Sequence, residues 1–246
     1  MKRRDFLLAL LALLALWQVL AWLVNQPILP DPWRVFGALI QETLSGDLPI
    51  HFLASLWRVV ASTLLSILLA APAGLVLGQS QRLNRLFTPI IYLLYPIPKV
   101  VFVPVLLLFF GIGDLSKILV IFLILFFQIL VLVRDQAAAL RPELILSVRS
   151  LGAGRRALFR FVYLPASLPG ILTALRQSIG TAVAVLYVAE LFATRVGLGY
   201  YIYFQGSTLL NYPAMYAGIL AMSFLGLGLY FLVDGLERRL CRWQVR

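Results

Sequence analysis

The sequence predicts an all-α polytopic membrane protein with about six transmembrane helices. Two observations predict it. Of the 246 residues 62% are hydrophobic and 13% charged, with a mean hydropathy of +0.95, which is far more apolar than a soluble domain of this length. The apolar residues are also gathered into runs long enough to cross a bilayer core as helices.

The first run, Phe6 to Val24, follows MKRRDF, a twin-arginine pattern that could open an export signal. It reaches about 28 Å as a helix. No small-residue cleavage site precedes Asn25, so it is expected to stay as a first transmembrane helix. Residues 1–50 then form this helix and an outer loop, and residues 51–246 form the core transmembrane domain. In the second run, Leu53 to Gly78, Ala70, Gly74 and Gly78 fall on one face. Another helix can approach closely there, either inside the bundle or at a dimer contact.

The third run, Phe87 to Phe110, contains LLYPIPKVVFVPVLLLFF, with Pro96, Pro98 and Pro104. Each proline removes a backbone donor and disfavours helix just before it, so this span is expected to bend or break. The freed carbonyls need partners, which suits either a solute path or a kinked packing helix. Ser116 to Val133, Leu168 to Ala193 and Tyr212 to Val233 complete the six.

Basic residues set the orientation. Lys2, Arg3, Arg4, Arg82, Arg85, Arg134, Arg141, Arg149, Arg155, Arg156, Arg160, Arg238, Arg239, Arg242 and Arg246 fall on one side, and Arg34, Lys117 and Arg195 on the other. Positive charge is retained inside, so both termini and the 134–167 loop are expected in the cytoplasm. The net charge of +11 sits beside apolar spans, where anionic lipid headgroups account for it without nucleic acid. One cysteine, Cys241, and one histidine, His51, provide no disulfide, metal site or catalytic relay.

The loop LGAGRRALFRFVYLPASLP interrupts the apolar pattern. Pro142 and Glu143 suit a first helical turn, and a short helix over 143–151 ends at Gly152 and Gly154. From Arg155, Leu158, Phe161 and Val162 form an apolar stripe, with Arg156 and Arg160 one turn apart and off it. A separate short amphipathic piece is expected there, with Pro165 and Pro169 opening the next span. The pair of helices either lies on headgroups or seats a cytoplasmic partner.

RSLGAGRRALFRFVYLPASLPGI resembles the cytoplasmic loop of permease subunits of ATP-binding-cassette (ABC) importers, whose pattern is Glu-Ala-Ala, three residues, then Gly. SLWRVVAS at Ser55, PIPKVVFVPVLLLFFGIGDLSKI at Pro96 and AELFATRVGLGYYI at Ala189 look like the branch that carries nitrate, sulfonates, taurine and bicarbonate. The resemblance spans about His51 to Phe231. It implies a type I ABC importer permease architecture in a bacterial inner membrane. It also implies alternating access driven by a separate ATPase subunit that binds ATP and Mg, an extracytoplasmic solute-binding protein, and a second permease copy, with a homodimer favoured. The chain itself would be non-catalytic and hold no cofactor, and no GxxxxGK[ST] loop occurs in it.

The loop residues implied to couple to the ATPase are Glu143, Ser147, Arg149, Ser150, Leu151, Gly152, Ala153, Arg155 and Arg156. One departure stands out. Leu146, Ser147 and Val148 occupy the Glu-Ala-Ala positions, so the acidic residue is missing, and its polar contact is either absent or supplied otherwise, with Arg149 and Glu143 as the candidates.

Arg58, Lys99, Arg176 and Glu190 lie within spans, where charge is costly and must face the interior, a partner or water. Tyr95, Lys99, Gln128, Arg176 and Glu190 are the translocation-path candidates. For Lys99 the alternative is bonding to the carbonyls freed at the break; for Arg176, snorkelling to the surface; for Glu190, an ion pair with Arg195 or Arg58. Gln128 would alternatively bond to a neighbouring helix. The solute is expected to be a small anion such as a sulfonate, nitrate or bicarbonate. Tyr200, Tyr201, Tyr203 and Phe204 keep an aromatic vitamin or pyrimidine precursor open, unless they are interfacial aromatics. A secondary carrier would show inverted repeats and acidic groups at mid-membrane, and neither is visible.

Overall fold

The structure, a computed structural model, describes residues 3–192 and 194–244. Lys2, Ala193 and Arg246 lie outside the described residues, as do the side chains of Arg3, Phe6 and Arg155. Eleven α-helices follow in order among the described residues: α1 (Arg3–Val24), α2 (Pro32–Leu44), α3 (Leu48–Gln79), α4 (Gln81–Leu94), α5 (Val103–Phe110), α6 (Asp114–Ala138), α7 (Pro142–Arg149), α8 (Arg155–Leu158), α9 (Leu164–Leu191), α10 (Leu198–Tyr203) and α11 (Tyr212–Leu240). The helix starts follow local chemistry. Proline occupies the first or second position of α2, α3, α7 and α11, where its missing N–H costs nothing. Asn211 caps α11 by accepting the Ala214 N–H, and Ser80 caps α4 by accepting that of Leu83.

By length and composition five helices can cross a membrane, and α4 with α5 makes a sixth span bent by 75°. The bend falls where the prolines predicted it. A 3-10 turn over Lys99–Phe102 joins the halves, and Pro104 starts α5 instead of interrupting a longer helix.

The bundle core is α3, α6 and α9. The Ala70, Gly74 and Gly78 face turns inward onto α6, which settles the choice left open by the sequence in favour of packing within the chain. A Cβ on Gly74 would sit 2.9 Å from the Leu130 carbonyl oxygen, and one on Gly78 2.5 Å from that of Arg134. Only glycine lets the two backbones come this close. Ser66 Oγ and Gln79 Nε2 donate across the same seam to the carbonyls of Phe122 and Ala137. α1 is peripheral, with Trp17 tilted against Tyr216 of α11 at 5.9 Å between ring centroids and its Nε1 donating to Pro30 O.

Three local expectations change. The segment from Arg155 is no separate surface piece: α8 runs through a π-helical turn, Phe159–Tyr163, straight into α9, because Leu158 and Val162 bury while Pro165 takes an early position of α9. Lys117, assigned to an outer connection, is buried inside α6 at 1% exposure. α2 was not foreseen; it packs along α11 and α3, burying Val35.

Candidate functional site

Polar side chains concentrate at both ends of the bundle, and the two ends do different things. At the end opposite α7, one face of α3 carries His51, Ser55, Arg58, Ser62 and Ser66, all buried. Residues three and four apart share a helix face, so this spacing builds a polar stripe down an otherwise apolar helix. Ser62 spends its hydroxyl on the Arg58 carbonyl one turn back, and Ser66 shares its one hydroxyl hydrogen between the Ser62 carbonyl at 2.7 Å and, across the seam, the Phe122 carbonyl at 3.3 Å.

The upper three residues hold the loop before α10. The Gly197 N–H donates to His51 Nδ1 at 2.9 Å, the Leu198 N–H to Ser55 Oγ at 2.8 Å, and the Gly199 N–H to Glu190 Oε2 at 2.8 Å. Three consecutive amides are thus captured by α3 and α9. His51 Nδ1 also lies 3.1 Å from the Gly197 carbonyl oxygen, so one ring nitrogen faces both backbone polar groups of that glycine. Gly197 has φ +140°, and a Cβ there would lie 2.5 Å from the Glu190 carboxyl carbon. The glycines of the Gly-Leu-Gly sequence are therefore demanded by backbone angle and by space.

Glu190 has 0% exposure. Its carboxylate accepts from Ser55 Oγ, Gly199 N and Arg58 Nη1, the last at 2.6 Å. Arg58 also donates Nε to Asp114 at 2.8 Å and Nη1 to the Val196 carbonyl at 2.7 Å. α3, α6, α9 and the following loop are tied by one guanidinium. A buried pair is tolerable only when its remaining donors and acceptors are met, and here they are. Glu190 faces no open path in this structure; of the two ion-pair partners considered for it, the structure has Arg58.

Two lysines repeat one device. Lys99 Nζ donates to the carbonyls five and four residues back, Leu94 and Tyr95, both at 2.9 Å, and to Ile97 at 3.3 Å. Lys117 Nζ likewise reaches five and four back, to Ile112 at 2.9 Å and Gly113 at 3.2 Å. Each lysine neutralises the carbonyl-rich end of the segment before it. All three ammonium hydrogens of Lys99 are engaged with the broken span, and the charge also lies 4.7 Å from the Phe127 ring centroid. Tyr95, whose carbonyl takes one of these bonds, is exposed at the break, and Gln128 is half-buried on α6.

At the α7 end, Arg176 of α9 bridges Asp234 at 2.9 Å and Glu237 at 3.2 Å on α11, and Thr173 Oγ1 donates to Glu237. The pairing, not solvent, takes up the Arg176 charge. Asp114, Asp234 and Glu237 had no part in the sequence reading; the signal for the last two was a carboxylate pair at i,i+3 near the end of an apolar helix. The stripe from His51 to Ser66 was equally legible, at spacings of four and three.

α7 stands outside the bundle, and Glu143, Ser147, Arg149 and Ser150 are exposed on it and its cap. Ser147 and Ser150 spend their hydroxyls on carbonyls three residues back, so neither hydroxyl hydrogen is free for a partner. Leu146, at the position where the family pattern has its glutamate, is 60% exposed, and Leu151 84%. Gly152 turns the chain with φ +81°, Ala153 is half-buried, and Arg156 is exposed. Tyr200 and Phe204 stack on each other at 5.5 Å, and Tyr201 is buried. No ligand is needed to explain those rings.

Comparison with known proteins agrees with this geometry. The family described as binding-protein-dependent transport system inner membrane component matches residues 62–242. The taurine transport system permease protein TauC of Escherichia coli (strain K12) is 32% identical over 242 residues, covering 96% of this chain and 88% of TauC. The riboflavin transport system permease protein RibX of Chloroflexus aurantiacus is 33% identical over 237 residues, covering 96% and 88%. In structure, the chain superposes on a chain of the inward-facing MetNI methionine ABC transporter with a TM-score of 0.72 at 21% identity, covering 81% of this chain and 98% of that one. The bent six-span bundle is therefore the type I ABC importer permease fold, and the chain belongs to the binding-protein-dependent transport system inner membrane component family, the membrane-spanning permease subunits of ABC importers.

Proposed function

We infer that the chain forms the translocation path for a small sulfonate-class anion, with α7 as the helix through which a separate ATPase drives it. The observation that carries this reading is α7 itself. It lies beyond the ends of α6 and α9, with Leu146 and Leu151 uncovered and Gly152 at a left-handed turn beside it. Apolar side chains in that position call for a partner, and membership of a binding-protein-dependent importer family implies an ATPase and a solute-binding protein.

The positive-inside count puts α7 and both termini in the cytoplasm of a bacterial inner-membrane protein. ATP and Mg then bind the ATPase subunit, since this chain has no phosphate loop. Two copies of the chain enclose the path and rock about it. The couplers are Glu143, Ser147, Arg149, Ser150, Leu151, Gly152, Ala153, Arg155 and Arg156. With Leu146 in place of the acidic residue, docking at that position rests on apolar burial, with Glu143 and Arg149 supplying polar contacts at either end of the helix. The sulfonate class follows TauC.

The test is reconstitution of the native complex in lipid nanodiscs with its binding protein. Taurine is expected to raise ATP hydrolysis and riboflavin to leave it unchanged. The reverse pattern would reject the sulfonate class, and hydrolysis indifferent to the binding protein would reject the coupling scheme.

A further inference from the structure

The carboxyl-terminal turn meets the α7 region. After α11 the chain makes a 3-10 turn, Arg242–Gln244, anchored by Cys241, which is buried with Leu172, Leu175 and Val233. Trp243 on this turn closes a cleft of about 220 Å³ whose other walls include Leu144, Ser147 and Val148 of α7 and Phe161 and Pro165 at the start of α9. Two neighbouring segments of the loop and a turn far along the chain converge on one hole. Trp243 itself is 58% exposed, and Phe161 is exposed as well.

Lipid does not account for this surface. α7 turns about 100° per residue, so Leu144 and Leu146 point about 160° apart. Both are exposed, and no flat membrane surface can cover both at once. An enclosing protein surface can. The same stretch, 141–163, exposes Arg141, Arg149, Arg156 and Arg160 against one carboxylate, Glu143, and Arg242 is exposed beside Trp243. The occupant must therefore be apolar at its tip and acidic around it.

We propose that the cleft between α7 and Trp243 is a socket for an apolar side chain of the ATPase subunit, flanked on that subunit by carboxylates, so that the carboxyl-terminal turn is a second docking element beside α7. This rests on the assignment of α7 as the ATPase contact. It gives the chain a way to hold its motor without the missing acidic residue: burial of an aromatic wall replaces a polar contact. Tryptophan suits the role because it gives a large rigid contact area at small entropic cost.

The experiment places the photo-crosslinker p-benzoylphenylalanine at Trp243 or at Leu151 of the full chain in native membranes, and identifies adducts by mass spectrometry. Adducts from both positions to a polypeptide carrying a phosphate-loop motif are the expected result. An adduct from Leu151 alone would overturn the socket and leave α7 docking in place. No ATPase adduct from either position would overturn both. An adduct from Trp243 alone would overturn the assignment of the α7 region as the ATPase contact, on which the socket rests. In parallel, Trp243→Ala should lower the ATPase retained through purification by about tenfold and Trp243→Phe by much less. Retention unchanged in Trp243→Ala, with the chain itself recovered at normal yield, would sink the proposal.

Discussion

Arg58 Nη1 lies 2.6 Å from Glu190 Oε1, and the same guanidinium holds Asp114, so one side chain of α3 ties together α9 and the start of α6. Glu190 is wholly buried while Asp114 is partly exposed, and the two links should differ in weight. Glu190→Ala leaves Arg58 enclosed with a lost partner and two amide or hydroxyl donors unmet, and should cost about 3–5 kcal/mol. Asp114→Ala should cost well under half of that. Thermal unfolding of the two variants in one detergent measures the difference; equal losses would contradict the ranking.

The α3–α6 seam predicts a contrast among glycines. Gly78→Ala puts a methyl against the Arg134 carbonyl and Ala137 Cβ, forcing the helices apart at a cost of about 1–3 kcal/mol. Gly180→Ala, with open space where its Cβ would stand, should be neutral or slightly stabilising because alanine is the better helix former. The midpoint of heat-induced aggregation for each variant checks the order.

Much of this architecture was readable from the sequence, and the exceptions have physical causes. Run lengths located the spans, since only a helix of about 20 apolar residues satisfies its backbone in lipid. The prolines located the 75° break for the same reason. What stayed hidden was pairing. Glu190 offered Arg195 and Arg58 as partners, and only the folded loop through Gly197 decides between them. Lys117 looked like a boundary charge because charge near a span end usually faces water, yet its bonds to Ile112 and Gly113 bury it. The Trp243 cleft was invisible because Trp243 lies far along the chain from the other walls.

Lys99 is predicted to shape the path and not to bind solute. Lys99→Met frees the carbonyls of Leu94, Tyr95 and Ile97 and should lower the maximal transport rate several-fold while leaving the apparent KM for solute nearly unchanged. A KM raised tenfold at constant maximal rate would instead assign the ammonium to the anion. Initial-rate uptake into proteoliposomes separates the two.

Gly152 has φ +81° with nothing within 4 Å of its missing Cβ, so backbone angle alone limits substitution there. Gly152→Asn should support near-normal solute-stimulated ATPase activity, because asparagine tolerates the left-handed region. Gly152→Val should uncouple hydrolysis from transport, since a β-branched residue cannot hold that turn. Equal activity of the two would show that the turn does not carry the motion.

Whether α7 seats an ATPase is tested by purification of the tagged chain from native membranes in mild detergent, with Ser150→Cys as a crosslinking site in a Cys241→Ser background. A stoichiometric ATPase subunit, covalently captured through position 150, is the expected result. Recovery of the chain as an intact, folded assembly with no ATPase, and no capture at that position, would contradict it.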